Sequence, residues 1–288
     1  MRNALPFALA AACVLFCSAA MVAAQAQQKS CAGIETVDVQ FEARAFPAQR
    51  IGDAVLFQSG MYVDADGAPN AYGPHNRGLD FTANAVRGGK FLSVATHPDG
   101  KPVIQRSGRF KGFYVSMTSL HNAAGSPTTP GTYVDARKIP YIVLPPEFMN
   151  QFGVALGDLA MVTNQRNGKT SFAIFADVGP HGKIGEGSVA LARALGINDD
   201  PRHGGTGSSI AYLVFPKSGL GPGKLRSAKE IRKSASRAFR RWGGARRLTA
   251  CSNQELSQQD EAEKSKTFET ERNGGHRGAG NAKTEGLG

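Results

Sequence analysis

Two carboxylates stand in a short window that could carry acid–base chemistry. In the run FADVGPHGKIGEGS, residues 175–188, Asp177 ends a strand-like segment, a glycine-rich loop follows, and Glu186 comes just before a predicted helix start. Such a pair could act as general acid and general base across one glycosidic bond. The spacing leaves two ordinary interpretations open, because an Asp before Val-Gly-Pro often bonds its own turn and a Glu near a helix start often favours the helix dipole.

The remaining motifs do not suggest metal or serine-nucleophile chemistry. The six histidines show no paired metal-ligand spacing, so we expect no metal and no cofactor. The run VDADG, which contains Asp64 and Asp66, lacks the third acidic position and the closing Glu of a calcium loop. No Gly-x-Ser-x-Gly elbow is present in the sequence, which removes the commonest serine-hydrolase site.

The elements around the two carboxylates are short strands joined by glycine-rich turns. Strand-like runs bounded by Gly, Pro or Asn cover residues 112–120, 141–144, 158–163, 171–176 and 210–215. The sequence NQRNG predicts a hairpin at residues 164–168, and a helix is predicted from Ser188 to Leu195, with Ser188 as its cap and Gly196 as its stop. Many short strands with few helices favour a barrel or a sandwich.

A longer succession of motifs gives the chain a family resemblance. The segments MYVDADGAPNAYGPHNRGLD, YVDARKIPYIVLPPEF, GDLAMVTNQRNGKTSFAIFADVGPHGKIGEGSVALARALGI and IAYLVFPKSG resemble the fungal-type chitosanases of glycoside hydrolase family 75 in their bacterial form. The resemblance is most specific from DVGP to IGEGS, although the loop between the carboxylates is shorter here than in fungal members. It implies that β-1,4 links between glucosamine units are hydrolysed with inversion, by Asp177 and Glu186.

A second resemblance concerns the fold alone. A strand, a hairpin, a second strand, Asp-x-Gly-Pro and a short helix ending in Leu-Gly-Ile are similar to the double-psi β-barrel of rare-lipoprotein-A-like proteins and lytic transglycosylases. This resemblance implies a mainly β fold, with a double-psi β-barrel-like core, extra strands and a few peripheral helices. Fold analogy carries no function by itself.

Inversion requires one protonated and one ionised carboxyl, with oxygen atoms roughly 6.5–9.5 Å apart. Burial among Ile and Gly would raise the pKa of Glu186 and favours it as the acid, while the reverse assignment stays open. Chitosan carries an ammonium group on most of its sugars, so we expect carboxylates, aromatic rings and amides to contact it. The candidate substrate-binding residues are Asp64, Asp66, Asp80, Tyr72, His75, Asn76, Asn164, Gln165, His181 and Lys183. A simple Asx turn is the alternative explanation of VDADG.

The two ends of the chain differ from its middle. Residues 1–26 have a basic start, an apolar middle and an Ala-Gln-Ala end, which predicts a signal peptide cleaved near Ala26 or, as a second choice, Ala24. We therefore expect a secreted or periplasmic protein with a catalytic domain over residues 27–252 and a disordered polar tail over residues 253–288. Cleavage leaves Cys31 and Cys251, which an oxidising compartment would join in a disulfide; two free thiols are the alternative.

Positive charge is concentrated in one segment. Residues 30–216 contain 16 basic and 15 acidic side chains, a net charge of +1, whereas residues 217–247 contain 11 basic side chains and 1 acidic one, a net charge of +10. Residues 224–242 predict a helix whose apolar stripe packs on the domain and whose basic face is either solvated or bound to an anionic polymer. We expect a monomer with no nucleic-acid partner and no stable membrane insertion.

Two classes of function fit these features. The first is a secreted, cofactor-free endo-chitosanase that inverts the anomeric carbon. The second is a cell-envelope glycan-binding or lytic-transglycosylase-like double-psi barrel protein, which the basic helix would hold on an anionic polymer. A pure binding module has no need of both Asp177 and Glu186, so their presence together favours the first class.

Overall fold

A closed ring of six strands organises the part of the chain that this computed structural model describes, which is residues 34–41 and 44–251. The strands are β1 (Ile34–Phe41), β2 (Arg44–Ile51), β3 (Ala54–Asp64), β4 (Val86–Arg87), β5 (Lys90–Phe91), β6 (Tyr141–Leu144), β7 (Leu159–Asn164), β8 (Thr170–Val178), β9 (Glu186–Ser188) and β10 (Thr206–Phe215). The order around the ring is β3-β10-β7-β8-β6-β9, and β9 closes it by pairing with β3. The hairpin β1-β2 extends the sheet beyond β3.

The helices are few and short. They are α1 (Pro146–Phe152), α2 (Val189–Ala194) and α3 (Ala228–Trp242), with 3-10 turns at Pro74–Asn76, Thr82–Ala85 and Pro130–Thr132. As the sequence predicts, Ser188 caps α2, because its Oγ accepts a hydrogen bond from the Leu191 N–H at 3.1 Å. The expected mainly β fold with a double-psi β-barrel-like core, extra strands and few peripheral helices is confirmed.

Four of the six barrel strands, β6, β7, β8 and β10, match strand-like runs of the sequence closely, whereas β3 and β9 have no counterpart among those runs. Tyr141–Leu144 forms β6 and is buried throughout, since the interior covers one face of this strand and other parts of the chain cover the second. The predicted hairpin at residues 164–168 joins β7 to β8, which pair antiparallel. The run at residues 112–120 behaves differently: it forms only isolated bridges, such as Val94 with Ser116 and Ile104 with Tyr114, and no named strand.

A long segment, residues 65–140, connects β3 to β6 with little regular structure. It has a small core of its own, formed by Ala95, Val103, Val115 and Tyr133. It reaches the barrel where the Leu120 N–H donates to the Ala176 carbonyl of β8, at 2.8 Å, and where the Ala136 carbonyl accepts from the Ala190 N–H of α2, also at 2.8 Å. This connection therefore lies against the carboxyl end of β8.

Helix α3 presents opposite faces to the barrel and to solvent. Ile231, Ala235, Ala238 and Trp242 are buried, and the Trp242 indole donates to the Ile51 carbonyl at 2.9 Å. The basic side chains at Lys229, Arg232, Lys233, Arg237, Arg240 and Arg241 are exposed. The helix is four residues shorter at its start than the expected 224–242, and its apolar face packs on the domain as predicted.

The predicted features at the chain ends fall largely outside the described residues. The signal peptide over residues 1–26, Cys31 and the tail over residues 253–288 all lie there, so these assignments and the disulfide stay predictions. Residues 243–251 belong to a separate unit with a helix over residues 244–251, and Cys251 is buried. Among the described helices, none is both long and apolar enough to cross a membrane.

Candidate active site

Val143 lies at the centre of the site, because the two predicted catalytic carboxylates face it from the strands on either side. It pairs with Asp177 on β8, which runs parallel to β6, and with Glu186 on β9, which runs antiparallel. Residues paired in register project to the same face of a sheet. Two strand spacings of about 4.8 Å put the backbones of Asp177 and Glu186 about 9.6 Å apart, and their side chains project to one face of the barrel.

The position of Asp177 is fixed by hydrogen bonds from two directions. Its Oδ1 accepts from the Ser119 N–H at 2.8 Å and from the Ser119 Oγ at 2.6 Å. The same oxygen accepts from the Val178 N–H at 3.0 Å. Three donors on one oxygen stabilise the ionised carboxylate. The long connection over residues 65–140 supplies Ser119, so it completes the surroundings of a residue on β8.

Glu186 begins β9 after a tight glycine-rich loop. Gly185 has a φ of 84°, and a Cβ there would lie 2.7 Å from the Gly60 carbonyl oxygen, so this position requires glycine. The Glu186 carboxylate lies 3.2 Å from the Lys183 Nζ, and its side chain remains 17% exposed. The loop thus delivers a largely buried carboxyl that is still open to solvent on one side.

The pKa values of both carboxyls are raised by burial. For Asp177, the hydrogen bonds from Ser119 and Val178 oppose this effect. For Glu186, the attraction and hydrogen bond of Lys183 oppose it, while the negative charges of Asp177 and Asp80 add to it. Two carboxyls that each resist ionisation and also repel each other are suited to holding one proton between them at working pH.

Two further predicted residues, Asp64 and Asp66, lie buried behind Asp177. Potential ligand oxygens of these three aspartates lie within 4.8 Å of one another. The Asp64 carboxylate accepts from the Asp66 N–H at 2.8 Å and from the Tyr141 hydroxyl at 2.9 Å, and the Asp66 carboxylate accepts from the Tyr72 hydroxyl at 2.7 Å. Asp64 therefore forms the Asx turn at VDADG and also belongs to the cluster of carboxyls near Asp177.

Burial is the largest cause of the raised pKa values of Asp64 and Asp66. Repulsion raises them further, from Glu186 and Asp177 at Asp64 and from Asp64 and Asp177 at Asp66. Three such oxygens could hold a cation, but shared protons account equally for their proximity, and the expectation of no metal stays a prediction.

The other predicted contacts on the long connection differ in their relation to the carboxyls. Asp80 is buried, accepts from the Phe81 N–H at 2.7 Å and raises the pKa of Glu186 through its charge. Tyr72 is buried against Asp66. His75 and Asn76 are exposed and have a φ of 56° each, and the Asn76 side chain accepts from the Thr82 N–H.

The loop between the carboxylates carries His181 and Lys183. The His181 Nδ1 lies 3.1 Å from a Glu147 carboxylate oxygen, and the imidazole is largely exposed. The Lys183 Nζ bridges Glu186 and the ring of Tyr62, whose centroid is 4.5 Å away. Lys183 therefore contacts one of the two carboxylates directly, whereas His181 contacts the start of α1.

Asn164 and Gln165 lie at the opposite end of β8. They belong to the turn before this strand, and Asp177 follows Thr170 by seven residues, or about 23 Å of extended chain. Asn164 is buried, and its amide donates to the Leu195 carbonyl at 3.1 Å. The structure does not bring this pair together with Asp177 and Glu186.

Three residues of the site are not among the sequence-predicted ones. Ser119 and Tyr141 hold aspartates, and Tyr62 pairs in register with Glu186 on the parallel strands β3 and β9. Tyr62 could have been found from strand alternation, because it stands two residues before Asp64 in MYVDADG. No local signal marks Ser119, since its partner is 58 residues away.

Comparison with known protein families gives a match over most of the described chain. Residues 61–242 match the family model described as fungal chitosanase of glycosyl hydrolase group 75. The matched range begins within β3, at Met61, and ends with α3, so it contains the other five barrel strands and the candidate catalytic and substrate-binding residues named above. A search of curated proteins finds no match.

Proposed function

The chain belongs to the chitosanase family of glycosyl hydrolase group 75, and on that premise we propose that it is an endo-acting, inverting chitosanase that uses Asp177 and Glu186 as its acid–base pair. Membership in the family makes it a glycoside hydrolase with a polysaccharide substrate. The observation that carries the proposal is the register at Val143, which puts two buried carboxyls on one barrel face, two strands apart.

In the proposed reaction, Asp177 is the base and Glu186 the acid. The ionised Asp177 takes a proton from a water molecule as the water oxygen bonds to the anomeric carbon. On the opposite face the bond from that carbon to the glycosidic oxygen breaks, and the carboxyl of Glu186 gives its proton to the leaving oxygen. Proton exchange with solvent then returns Asp177 to the ionised form and Glu186 to the protonated form.

The hydrogen-bond pattern supports this assignment of roles. Asp177 receives three donors on Oδ1, which favours its ionised form as a base. The burial of Glu186 raises its pKa and favours a proton at the start of the cycle, although Lys183 works against this. The charge of Asp80 acts on Glu186 and adds negative potential beside the pair, which suits a substrate with ammonium groups.

We extend the proposal to export. A signal peptide over residues 1–26, a mature catalytic domain over residues 27–252, a tail over residues 253–288 and a disulfide between Cys31 and Cys251 follow from the sequence patterns. The mass of the protein recovered from the periplasm or medium, measured with and without reductant and thiol labelling, tests the cleavage site and the disulfide together.

Digestion of fully deacetylated chitosan tests the proposed function. An endo enzyme lowers the viscosity of the polymer before short oligosaccharides accumulate, and Asp177→Asn and Glu186→Gln should both abolish this. Asp158→Asn is the matched control, because Asp158 is also a buried aspartate that accepts backbone N–H groups but lies at the start of β7. This control variant should have a lower Tm, but its activity at temperatures below that Tm should equal that of the wild type. Degradation of peptidoglycan or chitin in place of chitosan would overturn the proposed substrate and favour the transglycosylase-like alternative.

A further inference from the structure

Tyr62 extends the row of side chains that contains the two catalytic carboxyls. Going across neighbouring strands, the paired positions are Asp177 on β8, Val143 on β6, Glu186 on β9 and Tyr62 on β3. Because residues in register share a face, the ring of Tyr62 lies beside Glu186 and on the far side of it from Asp177. This ring is 61% exposed, more than any other large hydrophobic side chain among the described residues.

The order of the row fixes which part of a substrate would reach this ring. In an inverting displacement the base and water lie on one side of the anomeric carbon, and the leaving oxygen and acid lie on the other. The sugar that departs with the leaving oxygen must therefore extend past the acid. Past Glu186, along the row that starts at Asp177, the next side chain is Tyr62.

We propose that Tyr62 binds the sugar on the leaving-group side of the scissile bond and that the Lys183 ammonium occupies the place of that sugar's amine. This inference rests on the proposed function. It assigns the leaving-group site a ligand class, a 2-amino-2-deoxy sugar whose ring stacks on the tyrosine and whose ammonium lies between the ring and the Glu186 carboxyl, donating a hydrogen bond to the carboxyl oxygen that carries no proton.

The contacts of Lys183 show that an ammonium fits this place. Its Nζ lies 4.5 Å from the centroid of the Tyr62 ring and 3.2 Å from the Glu186 carboxylate. The first distance is typical of a cation–π contact, and the second is within reach of a hydrogen bond from an ammonium to the oxygen of the Glu186 carboxyl that carries no proton. An acetamido group carries no charge and would gain neither contact.

Lys183 is also free to move aside. Its side chain is 38% exposed, and it lies in a loop between Gly182 and Gly185, which have φ values of 70° and 84°. Only the lysine end of this ion pair is well exposed, and a sugar that brings its own ammonium and a stacking face can take its place.

Two substrates that differ only in the leaving group test the inference. One is a glucosamine oligosaccharide, and the other is a β-glycosyl fluoride of the same glucosamine chain, in which fluoride replaces the leaving sugar. Tyr62→Ala should lower kcat/KM on the oligosaccharide about tenfold, which corresponds to the loss of one stacking contact. On the fluoride it should stay within about twofold of the wild type, because no sugar occupies the tyrosine.

Two further variants complete the design. Tyr62→Phe keeps the ring and should restore the oligosaccharide rate. Leu220→Ala is the matched control, since Leu220 is 58% exposed and lies in the turn after β10. It should change neither rate. A Tm close to that of the wild type would exclude a folding defect in each variant.

A pair of defined oligosaccharides tests the amine itself. They carry glucosamine or N-acetylglucosamine immediately after the scissile bond. The wild type should prefer the amine, and Tyr62→Ala should narrow that preference about threefold, in line with the loss of an exposed cation–π contact. An unchanged preference would overturn the placement of the amine.

The failures of the two proposals are distinguishable. If the wild type hydrolyses both the oligosaccharide and the fluoride but Tyr62→Ala loses equally on both, or loses on neither, the inference is overturned and the proposed function stands. If the wild type hydrolyses neither substrate, the proposed function fails and the inference fails with it.

Discussion

Two regions of the molecule that are rich in ionisable side chains differ in burial: the carboxyls around Val143 are buried, and the basic side chains of α3 are exposed. On the face around Val143, Asp64, Asp66 and Asp177 are buried and hydrogen-bonded to tyrosine, serine and backbone donors, and their pKa values are raised. On α3, the basic side chains are exposed, and the anchoring contacts come from apolar residues such as Ile231 on the other face.

The difference indicates which charges serve function. Burying a carboxyl away from water costs free energy unless partners compensate for it. Several carboxyls buried together with raised pKa values are therefore typical of a functional site. A solvated lysine or arginine on a helix costs little and contributes little. The carboxylate face should therefore respond strongly to substitution, and the basic face should respond weakly.

The proposed acid–base pair should give the largest effect and should separate into its two roles. We expect Asp177→Asn and Glu186→Gln each to lower kcat on chitosan about 10³-fold, within the range for loss of one acid or base. On the β-glycosyl fluoride, Glu186→Gln should recover to within about tenfold of the wild type, since fluoride departs with little acid assistance. Asp177→Asn should not recover. Recovery of Asp177→Asn in place of Glu186→Gln would reverse the two roles.

Ser119→Ala should give the next largest effect, on the pH profile. Loss of the 2.6 Å hydrogen bond from Oγ destabilises the ionised form of Asp177 and raises its pKa. The acidic limb of the kcat/KM profile should then move up by about one pH unit. Ser171→Ala, at the start of the same strand, is the matched control and should leave the limb in place. If the pH profile of Ser119→Ala superimposes on that of the wild type, the acidic limb does not report the ionisation of Asp177.

Asp66→Asn should stabilise the protein, by an amount that depends on pH. The folded state raises the pKa of Asp66, so its contribution is favourable below the unfolded value of about 3.9 and is lost as pH rises through the folded pKa. Asn has no proton to lose, and it can still accept from Tyr72. We expect a gain of about 1 kcal/mol, or about 2–4 °C in Tm, near neutral pH.

Thermal unfolding over a pH series measures this gain. The Tm difference between Asp66→Asn and the wild type should shrink toward zero near pH 4, about the unfolded value for Asp. The exposed Asp53→Asn serves as the control and should show no such trend. A gain that is the same at every pH would mean that the charge of Asp66 is not its cause.

The basic face of α3 should give the smallest effect. Arg237→Gln removes an exposed charge, and we expect Tm to change by less than the equivalent of about 0.5 kcal/mol. Ile231→Ala, on the buried face of the same helix, should cost about 2–5 kcal/mol. Urea denaturation of both variants tests the contrast. A large loss in Arg237→Gln would show that the basic face does more than meet solvent.

Much of the barrel could be predicted because several of its strands are marked by local sequence patterns. Tyr141–Leu144 is a short apolar run bounded by proline, and Ser188 and Gly196 mark the two ends of a helix, so pattern and capping alone locate these elements. The long connection over residues 65–140 resisted such prediction. Its run at residues 112–120 has strand propensity but forms only isolated bridges. Strand formation depends on tertiary contacts with neighbouring segments, and these cannot be read from the local sequence.

The residues of the candidate site could be singled out where they share one sequence motif, and not where distant segments of the chain bring them together. Asp177 and Glu186 stand nine residues apart in one motif, and Asp64 and Asp66 in another, so their residue types drew attention. The contacts of Ser119 and Tyr141 with aspartates span 58 and 77 residues, and only strand register and the path of the connection bring them together. Asn164 shows the converse, since a polar residue near the motif in sequence lies at the other end of a strand.

The anomeric form of the first product tests the central claim most directly. Proton NMR during hydrolysis of a glucosamine oligosaccharide by the wild type distinguishes α from β products before mutarotation mixes them. If Asp177 and Glu186 flank Val143 as a base and an acid with water between, the α-anomer appears first from the β-linked substrate. The β-anomer appearing first would require a nucleophile close to the anomeric carbon and would contradict the account.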